Sequence, residues 1–170
     1  MQAFDILTSI SEVSIAIAGF GGIAAGLGYR AHGTWHNDDL FRLILMVVLS
    51  LLIVFACFIP YVLLTVGVTE PWRTSAILIL LTSIGNLVVQ YRRFRQGLPP
   101  GYNLLVTLTL FSTNVIVFGL ATILVLGLTN IDQRSGVYLA TVIILLISPS
   151  ILFVRLIVTA FSSAQDADDA

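Results

Sequence analysis

The thirty residues LFRLILMVVLSLLIVFACFIPYVLLTVGVT, Leu40 to Thr69, carry a single charge, Arg42, near their start. At ~1.5 Å per residue, roughly 20 apolar residues in helical form cross the ~30 Å hydrocarbon core of a bilayer. A strand of a membrane barrel would instead alternate apolar and polar residues over about ten positions. This run is too long and too continuously apolar for a strand, so it predicts a transmembrane helix. Four runs of the same kind flank it: Ile10 to Tyr29 before it, and Thr74 to Tyr91, Leu104 to Thr129 and Gly136 to Phe161 after it. The expectation is an all-α integral membrane bundle of five transmembrane helices. Residues 1–170 form one domain, since no stretch between the runs is long enough to act as a linker.

Composition points the same way. The 170 residues are 58% hydrophobic and 10% charged, whereas soluble domains carry about 25% charged residues. With a mean hydropathy of +1.02 there is too little polar side chain to coat a soluble fold. A soluble enzyme and a disordered chain are thereby excluded, and Cys57, alone in an apolar run, excludes a disulfide-stapled domain. The ends, residues 1–9 and 162–170, are too short to fold by themselves. No internal repeat stands out, and five spans do not divide into the two halves of many transporters.

Orientation follows from the basic residues, all eight of which are Arg. If the spans alternate, Arg73 and Arg134 fall on the side of the N-terminus, and Arg30, Arg42, Arg92, Arg93 and Arg95 on the other, with Arg155 near them. The positive-inside rule then places the N-terminus outside and the C-terminus in the cytoplasm. The first run lacks the positive start of a signal peptide and is expected to be retained. Arg92, Arg93 and Arg95, beside Tyr91, Phe94 and Tyr102, are expected to anchor the chain to anionic headgroups. So short a basic cluster does not predict nucleic-acid binding.

Few residues could carry chemistry. Ser14, Ala18, Gly22 and Gly26 recur every fourth position in the first run, a small-residue stripe of the kind that lets helices approach closely in lipid. Such a stripe serves packing within the bundle, a subunit interface or a pore lining. Glu12 is placed toward the outer end of the same run, and intramembrane ionisable residues are candidate functional sites. It could equally sit at headgroup depth and favour the helix N-terminus. Asn86, Asn114 and Arg155 complete the candidate intramembrane polar sites. Interhelical hydrogen bonds are the ordinary use of the amides, and snorkelling that of the arginine. Pro60 and Pro149 are expected to kink the second and fifth spans.

His32 and His36 beside Asp38 and Asp39 are the closest approach to a metal site, but Asn37 to Asp39 serve equally well as the N-cap and negative first turn of the second helix. No span contains His, so a bis-imidazole haem is excluded. Both His share one loop and Lys is absent, so neither a hydrolytic triad nor a phosphate-binding loop can be built. No catalytic residue, cofactor or metal is expected. Asp166, Asp168 and Asp169 form a short acidic tail, read as solvated.

The segment Ser14-Ile15-Ala16-Ile17-Ala18-Gly19-Phe20-Gly21-Gly22-Ile23 resembles one found in small bacterial multi-pass membrane proteins of uncharacterised function. Trp35, Asp39, Arg42, Pro60 and Trp72-Arg73 extend the resemblance over the first 75 residues. It implies a helical protein of the bacterial inner membrane and carries no activity to any residue. The function expected is therefore non-enzymatic. The chain would associate through its helices as an accessory subunit or self-assembling scaffold, its partners being membrane lipids and other membrane subunits or copies of itself. The alternative is a homo-oligomeric ion or small-solute channel lined by Glu12, Asn86 or Asn114.

Overall fold

The structure is a computed structural model that describes the backbone of residues 2–32, 37–96 and 104–168, and the side chains of these except 2, 25, 27–32, 37–39, 41, 93, 94, 96, 104–106 and 159–168. Its elements are α1 (Gln2–His32), α2 (Asn37–Thr65), α3 (Pro71–Gln96), α4 (Leu104–Val125), a short 3₁₀ turn (Ile131–Gln133) and α5 (Arg134–Asp168). All five α-helices are long and apolar enough to cross a membrane, over Ala3–Ala24, Arg42–Thr65, Pro71–Arg92, Thr107–Val125 and Ile131–Val158. Both prolines lie inside continuous helices. The all-α membrane bundle expected from the apolar runs is what the chain forms.

The first span begins earlier than its apolar run suggests. Asp5, Ser9 and Glu12 do not delay the helix, because all three project away from the core. They leave the inward face to Leu7, Ile10, Ser11 and Ser14. Glu12 accordingly lies inside the helix, nine residues after Ala3.

Helix α5 is central. It packs against α1, α2, α3 and α4, while α1 pairs with α2 and α3 with α4. The core gathers Leu7 and Ile10 of α1, Ile53, Ala56 and Cys57 of α2, Ala76 and Ile79 of α3, Val117, Ala121 and Leu124 of α4, and Tyr138 and Val142 of α5. The outward faces of α2 to α5 carry large apolar side chains, among them Phe55, Phe58, Leu81, Phe111, Ile147 and Val154. A lipid-facing surface needs this, since hydrocarbon offers polar groups no partner.

A repetition that the amino-acid sequence conceals becomes plain in the turns. Gly67 (φ 83°) follows α2 and Gly127 (φ 70°) follows α4. At each, the Gly N–H donates three residues back, to Leu64 and Leu124, and the next N–H donates five back, from Val68 to Leu63 and from Leu128 to Ile123. This is a Schellman ending, which needs a residue at positive φ, where glycine has no Cβ to clash. The segments around them, Val66-Gly67-Val68-Thr69 and Leu126-Gly127-Leu128-Thr129, lie sixty positions apart. The hairpins α2–α3 and α4–α5 thus turn in the same way at the same end of the bundle.

Candidate functional site

Where those turns meet, all five helices are joined through side chains of four of them and the backbone of α4. Pro60 has no N–H, so the carbonyl of Ala56 lacks its helical donor. Tyr138 supplies the missing donor from α5: its buried hydroxyl donates to the Ala56 carbonyl at 2.6 Å. The Tyr138 ring lies 5.6 Å from that of Trp72, which stacks at 5.3 Å on Phe4, which in turn meets Tyr61 edge-on at 5.9 Å. Four helices are linked through these rings. Arg73 brings in the fifth, its Nε donating at 2.8 Å to the carbonyl of Val125 in the last turn of α4.

Glu70 closes the assembly electrostatically. It sits between α2 and α3, outside the spans, where its carbonyl accepts the N–H of Thr74 at 3.1 Å and Pro71 follows in the first helical position. Its Oε1 is 2.6 Å from Nη1 of Arg134 at the start of α5, and its Oε2 is 3.8 Å from Nη1 of Arg73. The hydrogen bond from Arg134 holds the Glu70 carboxyl below the ordinary carboxylate range, and the charges of Arg134 and Arg73 add to the effect. Each hairpin therefore offers an Arg to the other, Arg73 to the end of α4 and Arg134 to the first turn. Sequence reasoning counted these arginines for topology and missed Glu70 and Tyr138. The signals available were the carbonyl stranded by Pro60 and the Gly-x-Thr segment repeated sixty residues on.

The small-residue stripe of α1 is not one face. A helix turns about 100° per residue, so a four-residue spacing drifts about 40° per step. Ser14 is fully buried and donates to its own Ile10 carbonyl at 2.9 Å, and Ala18 is half-buried. By Gly22 and Gly26 the stripe has rotated outward, and a Cβ at either meets nothing within 4 Å. The close approach inside the bundle occurs at Gly21, seven residues after Ser14, where an added Cβ would run into the side chain of buried Met46. Glu12 is exposed, and among the described residues no hydrogen bond or ion pair engages it.

The other candidates lie apart. Asn114 is buried in α4 and its Nδ2 donates to the Leu110 carbonyl at 3.1 Å, so its amide is turned back on its own helix. Asn86 is half-buried in α3. Arg155 is half-buried and borders an open groove of about 750 Å³ along α5 with Ile147, Ile151, Val154 and Val158. Arg92 and Arg95 are exposed at the far end of α3, beside Tyr91. The side chains of Arg93 and His32, and all of His36, lie outside the described residues. Among the described residues no group of three His, Cys, Asp or Glu could hold a metal ion.

Fold and site together define a multi-pass helical membrane protein whose helices are clasped at one end. No protein-family model, characterised protein or solved structure matches the chain.

Proposed function

We propose that this chain is a non-enzymatic protein of the bacterial inner membrane that works by helix association, as an accessory subunit or self-assembling scaffold of a larger membrane complex. The observation that carries the reading is the outward face of α1. There Glu12, Ala16, Gly19, Gly22 and Gly26 lie exposed among the large apolar side chains of Val13, Ile15, Phe20 and Ile23. Glycines between large apolar side chains let a neighbouring helix approach closely, and a carboxylate offers it a hydrogen bond, the two interactions that drive association in a bilayer. The resemblance of residues 14–23 to bacterial multi-pass proteins supports the membrane assigned.

The same reading sets the N-terminus outside and the C-terminus in the cytoplasm. The end of the bundle that holds Arg73 and Arg134 has both of them engaged by Glu70, while the opposite end carries the remaining six arginines or lies nearest to them. The charge asymmetry that orients membrane proteins is thereby sharpened.

The test is the mass and composition of the complex released gently from native membranes through a C-terminal tag. Other polypeptides in fixed ratio identify an accessory subunit, and several copies of this chain alone identify a scaffold. A monomer carrying only lipid refutes association as the function.

A further inference from the structure

A half-enclosed cavity of about 210 Å³ lies between α1 and α2 at the clasped end of the bundle. Three aromatic residues line it, Phe4, Phe58 and Tyr61. Phe4 is fixed by its stack on Trp72, and the ring planes of Phe4 and Tyr61 stand at 77° to each other, so the pair forms a corner rather than a flat wall. Thr8 and Ser11 line the cavity too. The Thr8 hydroxyl donates to the Phe4 carbonyl at 3.0 Å and the Ser11 hydroxyl to the Thr8 carbonyl at 2.7 Å. With their hydrogens engaged on α1 itself, what both oxygens have left to offer is lone pairs. Exposed Asp5 borders the same space and adds a carboxylate, which when ionised only accepts. Among the described residues that line the cavity none is Arg or His. The face of an aromatic ring is the negative part of its quadrupole, so rings, carboxylate and hydroxyl oxygens all favour positive charge.

We propose that this cavity binds a substituted ammonium group, an organic cation whose methyl or methylene groups meet the rings of Phe4, Phe58 and Tyr61 while the Asp5 carboxylate balances its charge. The site is contained within one chain and is independent of the association proposed above.

The lining selects this chemistry over the alternatives. An anion would meet a carboxylate and no cationic side chain. A hydrocarbon chain would take water from the carboxylate and hydroxyl oxygens and give them nothing in return. A bare metal ion takes several oxygen ligands at about 2.0–2.6 Å, and aromatic rings do not replace its hydration shell. A substituted ammonium carries its charge on an apolar surface, which is the property that aromatic cages recognise. Under the orientation proposed above the clasped end is the outer one, so the group can come from two sources, a free solute outside the cell or the ammonium headgroup of a lipid in the outer leaflet.

The experiment is equilibrium binding of labelled choline to the full chain in nanodiscs of phosphatidylglycerol, a lipid without an ammonium group, with empty nanodiscs as the blank. Choline is expected to bind saturably. Its uncharged carbon isostere, in which a tert-butyl group replaces the trimethylammonium, is expected to displace it only at concentrations about tenfold higher or more. Asp5→Asn and Phe58→Leu are each expected to weaken choline about tenfold, and Tyr61→Phe, which keeps the ring, to leave it unchanged. Asp5, Phe58 and Tyr61 are all exposed, so the variants leave the core intact. Phe55→Leu, also exposed on α2 but outside the cavity, is the control and is expected to have no effect. The two sources are separated by adding phosphatidylcholine to the nanodiscs: choline binding that falls in proportion assigns the site to a lipid headgroup, and binding that persists assigns it to a free solute. No saturable binding of choline, equal binding of the neutral isostere, or full affinity in both Asp5→Asn and Phe58→Leu would overturn the proposal, whatever the mass of the complex shows about association.

Discussion

Replacing Tyr138 by Phe removes one oxygen from the core and leaves the ring in its tilted contact with Trp72. What it exposes is the Ala56 carbonyl, which now receives the Tyr138 hydroxyl at 2.6 Å. An interhelical hydrogen bond in a membrane protein is worth on average only about 0.6 kcal/mol, because the separated helices find other partners. Ala56 is a special case. Its helical partner would be the N–H of residue 60, and proline has none, so the variant strands a buried carbonyl at a cost of roughly 1–3 kcal/mol. Tyr138→Phe is therefore expected to destabilise the bundle by about 1.5–2.5 kcal/mol, above the membrane average. Pro60→Ala restores a donor for Ala56, and Tyr138→Phe made in that background is expected to cost about 1 kcal/mol less than in the native chain. Reversible unfolding in bicelles, followed for the four members of the cycle, measures the coupling. Equal costs of Tyr138→Phe in both backgrounds would refute the argument that the tyrosine serves the carbonyl freed by Pro60.

Three further expectations follow from the same end of the molecule and from the charge distribution. Gly127→Ala forces a Cβ onto a residue at φ 70° and should cost ~1–2 kcal/mol, whereas Gly85→Ala, in the interior of α3 with nothing within 4 Å, should be neutral or stabilise by up to ~1 kcal/mol; melting of the two variants side by side checks the contrast. Because Glu70 is held below its ordinary value by Arg134 and Arg73, its contribution is present above the ordinary carboxylate value and lost as pH falls through the depressed one. Stability should accordingly drop at a more acidic pH than a free carboxylate would give, and the step should vanish in Glu70→Gln. For topology, a reporter fused to the C-terminus should be active on the cytoplasmic side, and replacing Arg92, Arg93 and Arg95 together by Gln should yield a mixture of orientations; one orientation persisting unchanged would show that these residues do not set it.

The fold was legible because its signal is local and abundant: every apolar run became a helix. The limits of the first span were not, for a physical reason. Asp5, Ser9 and Glu12 interrupt an apolar run in sequence but occupy one exposed side in space, and a hydropathy window averages over sides. The same blindness to rotation made Ser14, Ala18, Gly22 and Gly26 look like one stripe, although two and three steps of about 40° from Ser14 carry the last two out of the core. The clasp was hidden by distance along the chain. Tyr138 and Ala56 are 82 residues apart, and nothing local to Tyr138 marks it as a donor to a carbonyl in another helix. The turn repeat was hidden by brevity, since its sequence trace is little more than a glycine and a threonine sixty positions apart.

The central place of α5 has a consequence for how the molecule is made. Ribosomes add about 5–20 residues per second, so α1 is complete for on the order of ten seconds before α5, one of the two helices against which it packs, has been synthesised. During that interval α1 has only α2 as a native neighbour, and α4 only α3. The two pairs can wait side by side in the bilayer, but the aromatic chain through Tyr138 and the ion pair to Arg134 form only when α5 arrives. A nascent chain that stalls before Arg134 would leave the stranded carbonyl of Ala56 and the carboxylate of Glu70 without their α5 partners, groups by which a membrane quality-control protease could tell an unfinished copy from a finished one.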